Sequence, residues 1–172
     1  NQQRGGSLAL DGTPFGTQVE TYLTANIPEA DFVGTQELTN EFLATVDMVL
    51  LNTAESFLGS ISPLSEAEAD ALLAFIKAGN GAIIVADGSF SFEETAQSFV
   101  DPFGADVGRY SSETPSPSTI IDPLSNPISN GPFVLITSYF TERTHVTGAF
   151  YDLGPYAIPI GQIDGTSEAS IA

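Results

Sequence analysis

The sequence predicts a mixed α/β fold, a three-layer sandwich in which a mainly parallel sheet lies between helices and the last third is irregular. Helical and strand-like apolar segments alternate from residue 13 to residue 102. Two strand segments are continuously apolar, as strands covered on both faces are. After residue 104, turn-forming residues interrupt this alternation. With 172 residues, 42% of them hydrophobic, the chain is expected to form a single domain over residues 1–172.

Short sequence motifs predict the first elements. Thr13 and Pro14 resemble an N-cap followed by proline in the first helical turn, which predicts a helix that ends near Asn26. The segments that follow are predicted to be strand, helix and strand, at residues 30–34, 37–46 and 47–51.

The clearest unit of the chain is a capped helix followed by a buried strand. Ser65 and Glu68 form a capping-box pattern ahead of apolar residues at helical spacing. Gly79 stands where a C-terminal cap is expected, and residues 82–86 form a continuous apolar run. This arrangement predicts a helix and then a central strand.

A second capping box, formed by Ser91 and Glu94, predicts a helix over residues 92–100. Beyond it, polar segments that contain proline alternate with short apolar runs. We expect loops at residues 111–118 and 122–132, strands at residues 133–136 and 157–160, and a short helix at residues 166–172.

Residues 46–88 resemble the flavodoxin-like domains related to class I glutamine amidotransferases. The closer likeness is to their non-amidotransferase relatives, the trehalose-utilisation (ThuA-like) group and the gliding-motility and intraflagellar-transport group. The matching strand, helix start and glycine turn are at residues 47–51, 64–68 and 79–85, and residues 122–131 look like a further loop of the family. The resemblance implies a flavodoxin-like sandwich that lacks the first and last strands of its relatives.

The chain contains no cysteine, which excludes disulfides, thiolate metal sites and a cysteine nucleophile. In the amidotransferases, the turn after the third strand carries the catalytic cysteine. Asp87, Gly88 and Ser89 stand at the corresponding turn here. Glutaminase activity is therefore excluded, and the resemblance implies a relative that works without that nucleophile.

Asp87 is the best-placed polar residue, because ligands of open α/β sheets bind in the crevice beyond the carboxyl ends of the strands. Asn52, Glu55, Ser89 and His145 are expected to share that crevice. These five residues form a candidate binding site for a cation or for sugar hydroxyls, and we assign no catalytic residue or metal ligand. The alternative is that Asp87 belongs only to a turn and that Asn52 only caps a strand.

No cofactor is assigned, although calcium is an open alternative. Oxygen ligands for calcium are expected in loops, but the aspartates here do not follow EF-hand spacing. The aspartates concerned are Asp101, Asp106, Asp122, Asp152 and Asp164. The competing interpretation is a solvated acidic surface.

The charge balance restricts the expected partners. The chain has 22 acidic and 4 basic residues, a formal net charge of −18, and the basic residues are isolated from one another. Nucleic acid and anionic membrane surfaces are therefore not expected as partners, and no apolar run is long enough for membrane insertion. A protein or carbohydrate partner and a homo-oligomer remain open. The acidity indicates an extracellular or periplasmic protein or one from a salty habitat, unless it serves solubility alone.

These observations leave three functional hypotheses. The leading one is a non-catalytic binding or assembly module of a larger, extracellular bacterial protein. The second is a hydrolase or sugar-modifying enzyme that uses Asp87, Glu55 and His145 at the strand-end crevice. The third is a self-assembling structural subunit, in which a neighbouring chain pairs with an edge of the sheet.

Overall fold

A computed structural model describes most of the chain. The described residues are 14–29, 31–52, 62–85, 93–110, 116–126, 130, 137–141, 147–155, 157–164, 166–167 and 169–171. Within them, helices and strands are mixed, as the sequence predicts, and the chain divides into two compact units. The single domain expected over residues 1–172 stays a prediction, and the two units are described separately.

The first unit contains the helices and a small parallel sheet. Its helices are α1 (Pro14–Asn26), α2 (Asn40–Leu43), α3 (Glu66–Lys77) and α4 (Glu93–Val100), and its strands are β1 (Met48–Asn52) and β2 (Gly81–Val85). A 3-10 turn, Asp101–Phe103, follows α4. The helices predicted over residues 14–26 and 92–100 and the two buried strands are thus confirmed to within one residue.

Two expectations for the first unit were wrong. The segment predicted as a strand at residues 30–34 has no regular structure over its described residues, and Phe32 and Val33 are exposed there. A strand is stable only when a neighbour pairs with its backbone groups. The helix predicted over residues 37–46 is too long, since only the single turn of α2 forms. It begins after Thr39, which accepts a hydrogen bond from the Phe42 amide, and it ends at the C-cap Ala44.

Strands β1 and β2 are parallel, and α3 lies between them in sequence, which forms a β–α–β unit. The register runs from Met48 opposite Gly81 to Asn52 opposite Val85. The two strands therefore begin and end at the same level, and their carboxyl ends lie at one edge of the sheet.

One face of this sheet contributes to the core of the first unit. Val49 and Leu51 of β1 are buried, 6% and 2% exposed. A hydrogen bond also joins the segment before α3 to α4. The Leu64 amide donates this bond to the Ser98 hydroxyl at 2.9 Å. The other buried apolar residues of the unit are Leu38, Leu43, Leu64, Ala71, Leu72, Phe75, Ala96, Phe99 and Val100.

The predicted caps of α3 are confirmed. The Glu68 amide donates to the Ser65 hydroxyl, and the Glu68 carboxylate accepts from the Ser65 amide at 2.9 Å, which completes the capping box. At the other end Gly79 has φ +96°, a conformation in which glycine is favoured, and its amide donates to the Ile76 carbonyl at 2.9 Å. The second predicted capping box includes Ser91, which lies outside the described residues.

The second unit contains a six-stranded sheet with the order β3-β6-β8-β7-β4-β5, in which every described pairing is antiparallel. Its strands are β3 (Asp106–Tyr110), β4 (Ser116–Ile120), β5 (Ser138–Thr141), β6 (Thr147–Asp152), β7 (Gly161–Ile163) and β8 (Ala169–Ile171). Its buried residues include Val107, Ser118, Ile120, Ala149, Ile163 and Ala169.

This sheet corrects several predictions for the last third of the chain. The described residues of the last third contain the strands of this sheet and are not irregular throughout. Strands β1 and β2 form the only parallel pair among the described strands, so a mainly parallel sheet is not confirmed. The helix predicted over residues 166–172 is wrong, because residues 169–171 form strand β8. The strand predicted at residues 157–160 is also wrong, since these residues have no regular structure and strand β7 begins only at Gly161. Residues 133–136 lie outside the described part.

The physical reason is that these strands are short and only half apolar. Strand β4 has the sequence SPSTI, which is typical of a loop, yet Ser118 and Ile120 alternate toward the buried face. The Ser118 hydroxyl is fully buried there and has no hydrogen-bond partner among the described residues. Strands of this kind depend on their neighbours, and pairing between distant segments leaves no periodic signal in a single strand.

Candidate functional site

The structure leaves the predicted strand-end site untested. Asp87, Glu55, Ser89 and His145 lie outside the described residues. The backbone of Asn52 is described at the end of β1, opposite Val85 of β2. The structure therefore neither brings the five residues together nor separates them, and the crevice stays a prediction.

Four of the five aspartates considered for calcium accept hydrogen bonds within the protein. Asp164 accepts from the Thr119 hydroxyl at 2.7 Å and Asp152 from the Gly154 amide at 2.8 Å. Asp101 accepts from Gln97, and Asp122 accepts from the Ser125 hydroxyl. Asp106 lies in β3 rather than in a loop. Within the described part of the chain, no group of three or more acidic or histidine side chains could hold a metal ion.

One face of the parallel pair in the first unit is apolar and exposed. Met48 is 53% exposed and Ile83 is 49% exposed, while Leu50 between them is half-buried. Leu50 lies opposite Ile83 in the register, and the Met48 side chain lies beside Gly81. We call this surface, formed by Met48, Leu50, Gly81 and Ile83, the open face.

The open face is unusual for a parallel sheet. Parallel strands occur almost only in sheets whose two faces are both covered. Here Val49 and Leu51 point to the opposite face and are buried, whereas Met48 and Ile83 remain about half exposed. Because parallel strands normally have both faces covered, the uncovered apolar face is the candidate functional site of the first unit.

The chain that carries the open face is strongly acidic. Asp47, which precedes Met48, is exposed. Lys77 is the only basic residue among the described residues of the first unit, within a chain of net charge −18. An approaching surface of positive charge is therefore attracted, and an acidic one is repelled.

The second unit carries a small polar recess on the exposed side of β4 and β7. Thr119 and Gln162 lie opposite each other in the register, and Asp164 beyond them accepts from the Thr119 hydroxyl. The Gln162 side-chain amide donates to the Thr166 carbonyl at 2.7 Å. The recess holds about 190 Å³ and is also lined by Ile121 and Ile163. This volume is below the roughly 300 Å³ at which small-molecule sites begin, and its polar groups largely bond one another.

The open face could not be identified from the sequence. The pattern of β1 and β2 is apolar on both sides, as it would be if helices covered both faces. No feature of the two segments distinguishes Met48 and Ile83 from the buried Val49. Only the exposure of these side chains in the structure separates the two faces.

Among the described helices, none combines the length and the apolar character needed to cross a bilayer. Comparisons of the chain with protein-family models, curated proteins and solved structures return no match. The resemblance of residues 46–88 to amidotransferase-like domains therefore stays a prediction.

Proposed function

We propose that this protein is a non-catalytic binding or assembly module, and that its first unit binds a single segment of a partner protein across the open face. The observation that carries the proposal is the exposure of Met48 and Ile83 on a parallel pair whose other face is buried. Parallel strands are stable when both of their faces are covered, so a partner that covers this face adds a favourable apolar contact.

The size of the open face supports a segment rather than a whole folded surface. The paired strands are five residues long, or about 16 Å, and two strands wide, so the face measures on the order of 200 Å². Stable interfaces between folded proteins bury about 800 Å² on each partner. A second copy of the chain, with the same net charge of −18, would also be repelled.

The proposal extends to the fold of the first unit. The β1–α3–β2 connection is the repeating unit of doubly wound sheets, and a bound segment on the open face would act as a third layer. In this form the first unit corresponds to the flavodoxin-like three-layer sandwich expected from the sequence. We further propose that the protein is part of a larger bacterial protein and that it works in an extracellular or periplasmic setting. The acidic composition supports the setting.

The proposal is tested by selecting random linear peptides against the protein on a multivalent display, because avidity recovers weak binders. The expected result is a set of peptides that bind the original protein and lose binding to Ile83→Asp. The matched control is Ile158→Asp, which adds the same charge at a site 78% exposed in the second unit. If no selected peptide distinguishes Ile83→Asp from the control, the open face is not a binding surface.

A further inference from the structure

We infer that the segment bound by the open face is an amphipathic helix whose apolar stripe is flanked by lysine or arginine. The inference rests on the proposed function, and it specifies the conformation and charge of the partner. Neither property follows from the exposure of the face alone. The geometry of the sheet indicates the conformation, and the acidity of the chain indicates the charge.

The conformation follows from the geometry of the sheet. A strand would pair at an edge of β1 or β2, whereas the exposed apolar side chains project from the face. Helices are the elements that pack on the faces of parallel sheets. At a rise of about 1.5 Å per residue, a helix of about 11 residues matches the roughly 16 Å length of the paired strands.

The side chains of the open face determine which helix pattern fits. Met48 at one end is a flexible thioether that adapts to irregular apolar surfaces, and it lies over Gly81, where the adjacent strand has no side chain. Beside it, the apolar residues Ile83 and Leu50 lie opposite each other on the two strands. An apolar stripe spaced i, i+3 or i+4, and i+7 along a helix would cover these side chains.

The charge of the partner follows from the net charge of the chain, which is −18. Lys77 is the only basic residue in the described part of the first unit. Charged residues that flank an interface mainly determine which partners approach and how fast. Basic residues on both sides of the apolar stripe are attracted to this acidic chain, whereas acidic residues there are repelled. None of the described helices of this chain has that pattern, since α1 and α4 contain no basic residue and α3 contains only Lys77.

The test uses three synthetic helical peptides of about 18 residues, long enough to form a helix in solution. All three carry the same leucine and isoleucine stripe, and their flanking positions are lysine, glutamine or glutamate. Binding to the full chain is measured by fluorescence anisotropy at about 0.15 M salt, where long-range attraction is screened. The lysine peptide is expected to bind about tenfold more tightly than the glutamine peptide, and the glutamate peptide is expected not to bind.

The open face is tested with two variants of equal charge. Ile83→Asp is expected to lower the affinity for the lysine peptide by at least about tenfold. Ile158→Asp in the second unit is expected to leave that affinity unchanged. Circular dichroism and thermal melting establish that both variants are folded. If Ile83→Asp fails to fold, Met48→Asp replaces it, because Met48 is equally exposed on the same face.

Each outcome bears on a different statement. Equal binding of the lysine peptide to both variants would mean general attraction to an acidic protein, and it would overturn the inference. Equal binding of all three peptides, lost in Ile83→Asp, would overturn the basic flanks and leave the proposed function intact. Self-association of the original protein in sedimentation, abolished by Ile83→Asp, would identify a second copy as the occupant and also overturn the inference.

Discussion

Glu68 shows how a single residue holds together distant parts of the first unit. Its side chain is buried, and one carboxylate oxygen accepts from the Leu38 amide at 3.2 Å. The other oxygen accepts from both the amide and the hydroxyl of Ser65 at 2.9 Å. The sequence predicts the bond to Ser65, because the capping box is local. The bond to Leu38 spans 30 residues and has no sequence signature.

We expect Glu68→Ala to lower the free energy of unfolding by about 3 kcal/mol, because three donors lose an acceptor and hydrogen bonds to charged groups are the stronger ones. Glu68→Gln keeps one acceptor oxygen and should lose about half as much. Urea denaturation measures both changes. The matched control is Glu66→Ala, an exposed acid in the same first turn, which should cost less than about 1 kcal/mol. Equal losses for Glu66→Ala and Glu68→Ala would show that the three hydrogen bonds accepted by Glu68 add nothing to stability.

Individual elements were predictable where their signals are local. The cap of α3 and its ending at Gly79 follow from residues within a few positions of each other. Strand β4 could not be predicted from its own sequence, because Pro117 and the neighbouring serines are typical of a loop. The strand is stabilised by pairing with β5 and β7. The open face could not be predicted either, since the alternating residues Met48 and Val49 are both apolar while only one is buried.

Two glycines with positive φ differ in how closely their turns are packed against the rest of the protein. Gly154 has φ +61°, and a Cβ there would overlap the carbonyl oxygen of Gly104. Gly79 has φ +96°, and a Cβ there would meet no atom within 4 Å. We expect Gly79→Ala to cost about 1–2 kcal/mol from backbone conformation alone. Gly154→Ala should cost more than about 3 kcal/mol, because the turn must also move.

Calorimetric unfolding of the two glycine variants measures this difference. Gly79→Ala serves as the control, since it changes the backbone preference without a steric overlap. If Gly154→Ala were no more destabilising than Gly79→Ala, the close approach of the two turns at Gly104 and Gly154 would not be needed for the stability of the second unit.

For the whole molecule, the dominant physical feature is the net charge of −18. We expect stability to increase with sodium chloride between about 0.05 and 0.5 M, because screening reduces the repulsion among acidic residues. A gain of roughly 1 kcal/mol corresponds to about 2–4 °C in Tm for a chain of this size. Thermal melting at several chloride concentrations measures the change. Sulfate is unsuitable here, because it stabilises folded proteins by exclusion from their surface. A flat dependence on chloride would mean that the acidic residues are dispersed well enough not to repel one another.

Charge and composition were readable from the sequence at this scale, whereas the arrangement of the sheets was not. The mixed α/β class follows from the alternation of apolar patterns between residues 13 and 102. The antiparallel sheet formed by β3 to β8 depends on pairing between segments such as Thr119 and Gln162, which are far apart in the chain. The strand-end site at Asp87 and His145 lies outside the described residues.

Binding at the open face, as proposed, would also affect how much folded protein accumulates. A ligand that binds only the folded state raises stability with the logarithm of its concentration, by about 2.7 kcal/mol when it is present at one hundred times its dissociation constant. For marginally stable proteins, a change of that size alters the fraction that is degraded. The abundance of this protein would then follow the abundance of its partner, and copies without a partner would be removed first.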